Sequence, residues 1–492
     1  MALIEDRTAP GLMAGYDTGG FFDEAVDGQG ELRPEYEVLF DRLRSMTHEE
    51  LARRAAMCDD TMRKRGVTFT LSAGDGEEDD LERTLPMDVL PRVIGGAAWR
   101  ELEAGLIQRV SALNAFLEDL YVGERAAVKD GIVPWWLVTS SDGFVREAVG
   151  VPAPYGVRCL VAGLDLVRGA DGRLRVLEDN LRNPSGVSYV VENRDLMTRL
   201  FPAILRAHRV RPVGNYGELL LRALRSVAPA GVADPCVVVM TPGIHNAAYF
   251  EHAFLAHQMG VELVEGNDLL VDGQRVYMRT TEGPRPVHVI YRRLDDRFLD
   301  PVGFRSGSYI GVPGLLTAAR AGTVTLANAV GNGVADDKAI YPFVPDLVRY
   351  YLNEEPLLSN VDTYLLWDDD QRAAVLDRLD QLVTKPVDGA GGYGLVIGPR
   401  ASDEELAVLR AQIEADPRAY ISQEVVQLSR VPTVAEDGLA GRHVDLRPFI
   451  ISSADGIEVL PGGLTRVALQ KGSLVVNSSQ GGGTKDTWVL DG

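Results

Sequence analysis

Between residues 99 and 121, apolar side chains recur every three or four positions: Leu102, Leu106, Val110, Leu113 and Leu117. This is the spacing of one helix face, and the helical texture runs from Pro86 to about Val122. A helix is also expected over 47–65, where Thr47 followed by Glu50 makes a capping box. The texture then changes. Residues 157–169 and 173–180, split by Ala170-Asp171-Gly172, read as strand, turn, strand, and another helix is expected from about Asp195. Residues 1–45 show no periodicity and read as an extended arm wrapping another part of the molecule, and 74–80 read as a solvated acidic loop.

Residues 211–330 follow a different rhythm. The run 236–243 reads as a buried strand, 245–260 as a helix ending at Gly260, and 261–266 as a second strand, a βαβ unit of a small parallel sheet. From about 331 a helix (371–382) leads into a strand (381–387), a glycine-rich turn (388–394) and another strand (394–399). A helix at 403–415 and a strand at 419–426 follow, and the remainder reads as antiparallel strands. The fold class is α/β (α+β), in four stretches: 1–85, 86–210, 211–330 and 331–492.

Charge narrows the partners. The 492 residues carry 50 Lys and Arg against 71 Asp and Glu, a net charge of −21. Such a field disfavours nucleic acid and anionic membrane but permits a small anionic ligand in a local basic pocket. No apolar run is long enough for a membrane helix. The N-terminus lacks a secretory pattern, and Cys58, Cys159 and Cys236 form no CxxC pair, so a cytoplasmic setting is expected.

Several residues carry candidate chemistry. Gly389, Gly391 and Gly394 match G-x-G-x-x-G, but a strand follows rather than a helix, so a dinucleotide fold is not indicated. A glycine hairpin can instead cover phosphates with its backbone N–H groups, with Lys385 supplying a cation from the entering strand; a plain surface hairpin would look the same. Gln423 and Glu424 alternate with apolar residues on a strand that could flank an adenine. Asp165, Glu178 and Asn180 lie on consecutive strands, where three oxygen donors suit Mg²⁺. Arg182 and the turn Asn183-Pro184-Ser185-Gly186 follow as an anion site. A helix start near Pro242–Asn246 could hold a carboxylate, with Asn246, Glu265 and Asp268 as polar contacts. Lys485, in a glycine-rich segment, reads either as a phosphate ligand or as part of a surface loop.

Together these pieces resemble an ATP-grasp ligase. The chain has Asn332 with Asp337-Lys338, Lys385-Pro386-Val387 before the glycine turn, Gln423-Glu424-Val425-Val426, Asp445-Leu446-Arg447, and Asp165 with Glu178-Asp179-Asn180. The acidic trio precedes the lysines, the reverse of the usual order, so the sequence is similar to the circularly permuted ATP-grasp group that includes glutathionylspermidine synthetase-like proteins. In that reading the 86–210 stretch is the permuted metal-binding part, 211–330 a Rossmann-like substrate-side domain and 331–492 the ATP-binding part. One departure stands out. Glutathionylspermidine synthetases place an arginine two residues before the first metal aspartate to stabilise the acyl phosphate, and here that position is Gly163. Arg158, Arg182, Arg447 or Arg466 could substitute.

The resemblance implies an ADP-forming carboxylate–amine ligase using ATP and one or two Mg²⁺ ions, acting on an amino acid or peptide-like substrate. Lys338, Lys385 and the Gly389, Gly391, Gly392, Tyr393, Gly394 hairpin would hold phosphates, and Gln423, Glu424, Val425 and Val426 the adenine. Asp165, Glu178 and Asn180 would bind metal, Arg182, Arg447 and Arg466 would act in catalysis, and Ser185, Gly186, His245 and Asn246 would meet substrate. Its partners would be small-molecule or peptide carboxylates and amines, with a homo-oligomer or a protein partner left open. A phosphotransferase and an ATP-binding scaffold with little catalysis are the alternative readings.

Overall fold

The computed structural model describes residues 12–13, 15–44, 46–71, 81–389, 394–435, 438–470, 472–473, 476 and 482–491. The expected acidic loop at 74–80 lies outside them, as do Gly391, Gly392 and Tyr393.

The helix Gly96–Tyr121 forms as its periodicity predicts, and Leu102, Leu106, Val110, Leu113 and Leu117 are all buried. Each such side chain contributes roughly 1.5–3 kcal/mol relative to exposure. Its expected start at Pro86 is wrong. Met87–Ile94 is a fully buried strand, running parallel to Gly483–Val489 at the edge of a three-stranded sheet. Pro91 explains the difference: it would break a helix interior but is tolerated on a sheet edge. In the same sheet Lys485 is wholly buried against Asp88, which rules out the phosphate-ligand and surface-loop readings alike.

The central sheet has six strands. Its order is Ser359–Asn360, Leu174–Asn180, Val161–Arg168, Phe449–Ser453 and Gly456–Val459, with Asp445–Leu446 also paired to Val161–Arg168. The expected hairpin at 157–180 is there, with Gly172 in the left-handed region (φ +75°) at its turn. The following helix is Val187–Leu200, beginning eight residues before the expected Asp195. The buried carboxylate of Glu251 accepts from Gly186 N, Ser188 N and Ser188 Oγ and so satisfies its first turn from another element.

The βαβ unit is present. Val237–Met240, the helix Tyr249–Met259 and Glu262–Val264 lead into a four-stranded parallel sheet with Val289–Arg292 and Thr325–Ala327. Gly260 (φ +66°) caps the helix as expected. Its start is later than expected: Pro242–Asn246 precede it in an irregular turn. A three-stranded antiparallel sheet over Leu269–Val287 was not anticipated. Its tight turns at Gly273-Gln274 and Thr281-Glu282 are the local signal for it.

A separate antiparallel sheet orders Thr363–Leu365, Tyr420–Glu424, Leu382–Pro386 and Val396–Ile397. It has its own small core of Leu366, Val375, Leu379, Leu382, Leu409 and Ile413. Ser402 and Glu405 form a capping box for the helix Asp403–Ala415. Within the expected arm, the described residues 15–33 form turns, bends and isolated bridges. Pro34–Leu43 is a helix burying Tyr36, Leu39, Phe40 and Leu43, a short stripe easily missed at under three turns. Among the described residues no helix is long and apolar enough to cross a membrane.

Candidate active site

A cavity of about 650 Å³ lies between the central sheet, the small antiparallel sheet and the βαβ unit. Antiparallel pairing puts Asp165 directly opposite Glu178 and Gly163 opposite Asn180, with a bulge just after Asp165. All three candidate metal ligands line the cavity. Asp165 is buried and clamped: Arg447 donates to both its oxygens (Nε at 2.5 Å, Nη2 at 2.8 Å) and Arg466 Nη2 donates at 2.7 Å. Burial opposes charge on Asp165, but the two guanidiniums outweigh it and hold the carboxyl well below its ordinary range. Arg466 is itself gripped by the buried Asp445 at 2.5–3.0 Å. Asn180 carries a buried amide nitrogen without a partner, and an amide can present either its N or its O at such a position.

The facing wall carries the lysines. Lys338 Nζ lies 3.7 Å from Glu178 and also donates to the carbonyl of Gly389. Lys385 Nζ donates to Gln423 Oε1 at 2.6 Å, and Gln423 Nε2 donates to Thr363 Oγ1 at 3.0 Å. Burial pulls Lys385 down to about 8, Glu178 opposing and Lys338 adding to the shift. Gly394 (φ +71°) lies against Pro386, where a Cβ would come within 2.7 Å of the ring. Gln423, Glu424, Val425 and Val426 all line the cavity. The Glu424 carboxylate is engaged away from it, accepting from Tyr364 OH (2.6 Å) and Arg378 Nη2 (2.7 Å). Beyond Glu424 the chain leaves its strand, and Val425, Val426, Leu428, Val383 and Ile397 give this end an apolar lining.

The substrate-side candidates divide. Ser185 lines the cavity and its Oγ accepts from Arg293 Nη2 at 2.5 Å. Gly186 N is already bonded to Glu251, and His245 is exposed and outside the lining. Asn246 lines the cavity, although its Oδ1 accepts from Ala248 N at 2.9 Å. Arg182 also lines it, pairing with Asp295 at 2.8 Å and Asp336 at 3.7 Å.

Several lining residues were given no role by the sequence reading: Asp336, Asp295, Arg293 and His252, while Asp445 entered it only as part of a motif. Asp336 stood next to a motif that drew attention. Of the pair Asp336-Asp337 the second is structural, bound to Arg418 at 2.6 Å and to Ala339 N, while the first faces the cavity. Asp336 accepts from Leu181 N (2.6 Å) and Arg182 N (3.3 Å), and burial pushes its carboxyl up to about 7 against the pull of Arg182. His252 is buried, bonded through Nδ1 to Thr241 Oγ1 at 2.9 Å, and kept neutral by burial and by Arg293.

The oxygen donors of Asp165, Glu178 and Asn180, facing Lys338 and Lys385, are of the hard type that suits Mg²⁺. Among the described residues no three His, Cys, Asp or Glu side chains converge closely enough to hold a metal by themselves. The remaining donors are Asn180, water and bound phosphate, which is how Mg²⁺ is commonly held.

Comparison with known proteins identifies the family. The family model described as circularly permuted ATP-grasp type 2 matches residues 91–468. An uncharacterized protein of Mycobacterium tuberculosis is 54% identical over 483 residues, spanning 97% of this chain and 86% of its own. One from Synechocystis is 52% identical over 477 residues, 97% of this chain and 98% of its own. A Frankia alni protein named "Putative glutamate--cysteine ligase 2-3" is 46% identical over 485 residues; the match spans 98% of this chain but 55% of that protein. Among solved structures, an apo glutathione synthetase-like effector from Globodera pallida gives a TM-score of 0.57 at 13% identity, over 91% of this chain and 98% of its own, a likeness of fold alone. The chain is a member of the circularly permuted ATP-grasp type 2 family.

Proposed function

We propose that the chain is an ATP-dependent carboxylate–amine ligase that forms an amide through an acyl phosphate, releasing ADP and phosphate. One observation carries this reading: Glu178 and Lys338 face each other at 3.7 Å across a cavity that also holds Lys385 and Gln423. Family membership supports ATP and Mg²⁺. The ligase name of the Frankia protein supports the joining of a carboxylate to an amine, although it describes a protein nearly twice as long.

In this reading Lys338 and Lys385 hold the phosphates, and Val425, Val426 and Leu428 pack on the adenine. Asp165, Glu178 and Asn180 would hold Mg²⁺, which neutralises phosphate charge. A substrate carboxylate oxygen attacks the γ-phosphorus and ADP leaves. The amine then attacks the acyl carbon and phosphate leaves. The attacking ammonium must first lose a proton, and Asp336, a cavity-wall carboxylate two residues before Lys338, is the one whose raised pKa suits it as the base. The second N–H proton leaves with the phosphate, so the step balances.

Two pH effects follow. A base must be unprotonated, so kcat should rise with pH through about 7, the value to which burial pushes Asp336. Asp336→Asn should lower kcat by about a hundredfold and remove that limb of the pH profile. Lys385 must be charged to hold phosphate, so ATP affinity should fall as pH rises through about 8, as titration calorimetry on either side of that pH would show. The substrate class is tested by screening carboxylate and amine pairs for ADP release. A stable phosphorylated product without amide would identify a phosphotransferase instead.

A further inference from the structure

The arm at residues 15–33 lies outside the segment that the family model matches, and it reaches the structural supports of the cavity from three sides. Its main chain pairs with the segment that follows the adenine wall: Glu24 N donates to Arg430 O and Arg430 N to Phe22 O, both at 2.9 Å. Phe22 covers the turn of the acidic hairpin, where a Cβ on Gly172 would lie 2.7 Å from its ring. Arg33 stacks over the same ring at 4.7 Å.

Glu24 itself is buried, and its carboxylate is shared by three elements. Arg92 donates to both oxygens (Nη2 at 2.6 Å, Nε at 2.8 Å), Arg168 Nε donates at 3.1 Å and Ser429 Oγ at 2.6 Å. Each partner leads into the cavity. Arg168 ends the strand that carries Asp165. Ser429 directly follows Leu428, which lines the cavity. Arg92 Nη1 donates to the carbonyl of Asp445, whose carboxylate grips Arg466.

We infer that Glu24 is a positioning residue for nucleotide binding, fixing the acidic hairpin, the adenine-side segment and the Asp445–Arg466 pair relative to one another. The inference rests on the nucleotide reading of the cavity proposed above. Without this carboxylate, the buried Arg92 and the half-buried Arg168 lose their ion-pair partner, and all three elements lose a shared anchor. A purely structural contact would lower stability and leave the affinity of the folded molecules unchanged. A positioning contact changes affinity well below the melting temperature.

The test is calorimetric titration of the full chain with Mg-ATP, for the unaltered protein, Glu24→Gln and Ser429→Ala. Leu51→Ala, a cavity in the core outside the site, serves as a destabilised control. Glu24→Gln is expected to raise the Kd at least about tenfold, and Ser429→Ala about threefold, while Leu51→Ala lowers the Tm without moving the Kd. If Glu24→Gln does not fold, Ser429→Ala decides the matter. Tight binding by the unaltered protein with an unchanged Kd in the variants overturns the positioning role and leaves the nucleotide site standing. No binding of Mg-ATP by the unaltered protein overturns the nucleotide reading, and the inference falls with it.

Discussion

Replacing Glu178 with alanine is expected to abolish Mg²⁺-dependent stabilisation by ATP and to lower kcat by about three orders of magnitude or more. Glu178 lines the cavity, opposite Asp165 on the hairpin and 3.7 Å from Lys338. In the proposed reading its removal takes away a metal donor together with the counter-charge of Lys338. ATP at about a hundred times its Kd adds roughly 2.7 kcal/mol to the folded state. Thermal melts with ATP, with and without Mg²⁺, should therefore show a clear upward shift in the unaltered protein and none in Glu178→Ala. The fold itself should tolerate the change, because the carboxylate is partly exposed and among the described residues makes one ion pair. A variant that keeps both the shift and the turnover would show that the hairpin is not the metal site. A shift in the unaltered protein that does not need Mg²⁺ would separate nucleotide binding from metal binding.

The readable parts of this site are those the chain makes locally. Asp165, Glu178 and Asn180 meet through one hairpin whose turn is spelled out by Ala170-Asp171-Gly172, so two strands of sequence place all three. Lys385 and Gln423 also sat on recognisable strands, and the antiparallel pairing of those strands lets Lys385 Nζ reach Gln423 Oε1 at 2.6 Å. What stayed hidden depends on contacts remote in sequence. Arg447 reaches Asp165 across 282 residues, and Glu24 reaches Ser429 across 405. Glu24 in isolation has the composition of any surface acid; only the folded chain brings it to Arg92 and Arg168. Glu251 illustrates the converse. The turn Asn183-Pro184-Ser185-Gly186 reads as an anion site in sequence, yet at Gly186 N a carboxylate from another helix is already bound. Asp336 was missed because its neighbour Asp337 carried the recognisable motif, and nothing local says which of the two faces inward.

Arg447→Ala is expected to cost about two to three orders of magnitude in kcat while leaving the Kd for Mg-ATP within about threefold. The reason begins at Gly163, which has no side chain where the resemblance calls for the arginine that steadies the acyl phosphate. A Cβ built there would lie 3.4 Å from Arg447 Cδ and 2.9 Å from Pro184 Cβ, so the stem of Arg447 passes over the gap. Its guanidinium reaches Asp165 and the carbonyl of Ser185, at the junction of the acidic hairpin and the substrate-side turn. Arg447 is itself tied to Asp165, so its position over Gly163, and not greater freedom, singles it out among the candidates. Arg158 is sealed in the core against Glu118 and two carbonyls, Arg182 is paired with Asp295, and Arg466 is held by Asp445. Arg447→Lys should recover little activity, because an ammonium cannot match the forked guanidinium on a planar oxyanion. Arg158→Ala, by contrast, should lower stability and leave the turnover of folded molecules intact. Measuring kcat and the Kd for Mg-ATP on these three variants separates the roles. If Arg447→Ala weakens ATP binding as much as it slows turnover, Arg447 belongs to the nucleotide site and the acyl phosphate is stabilised elsewhere.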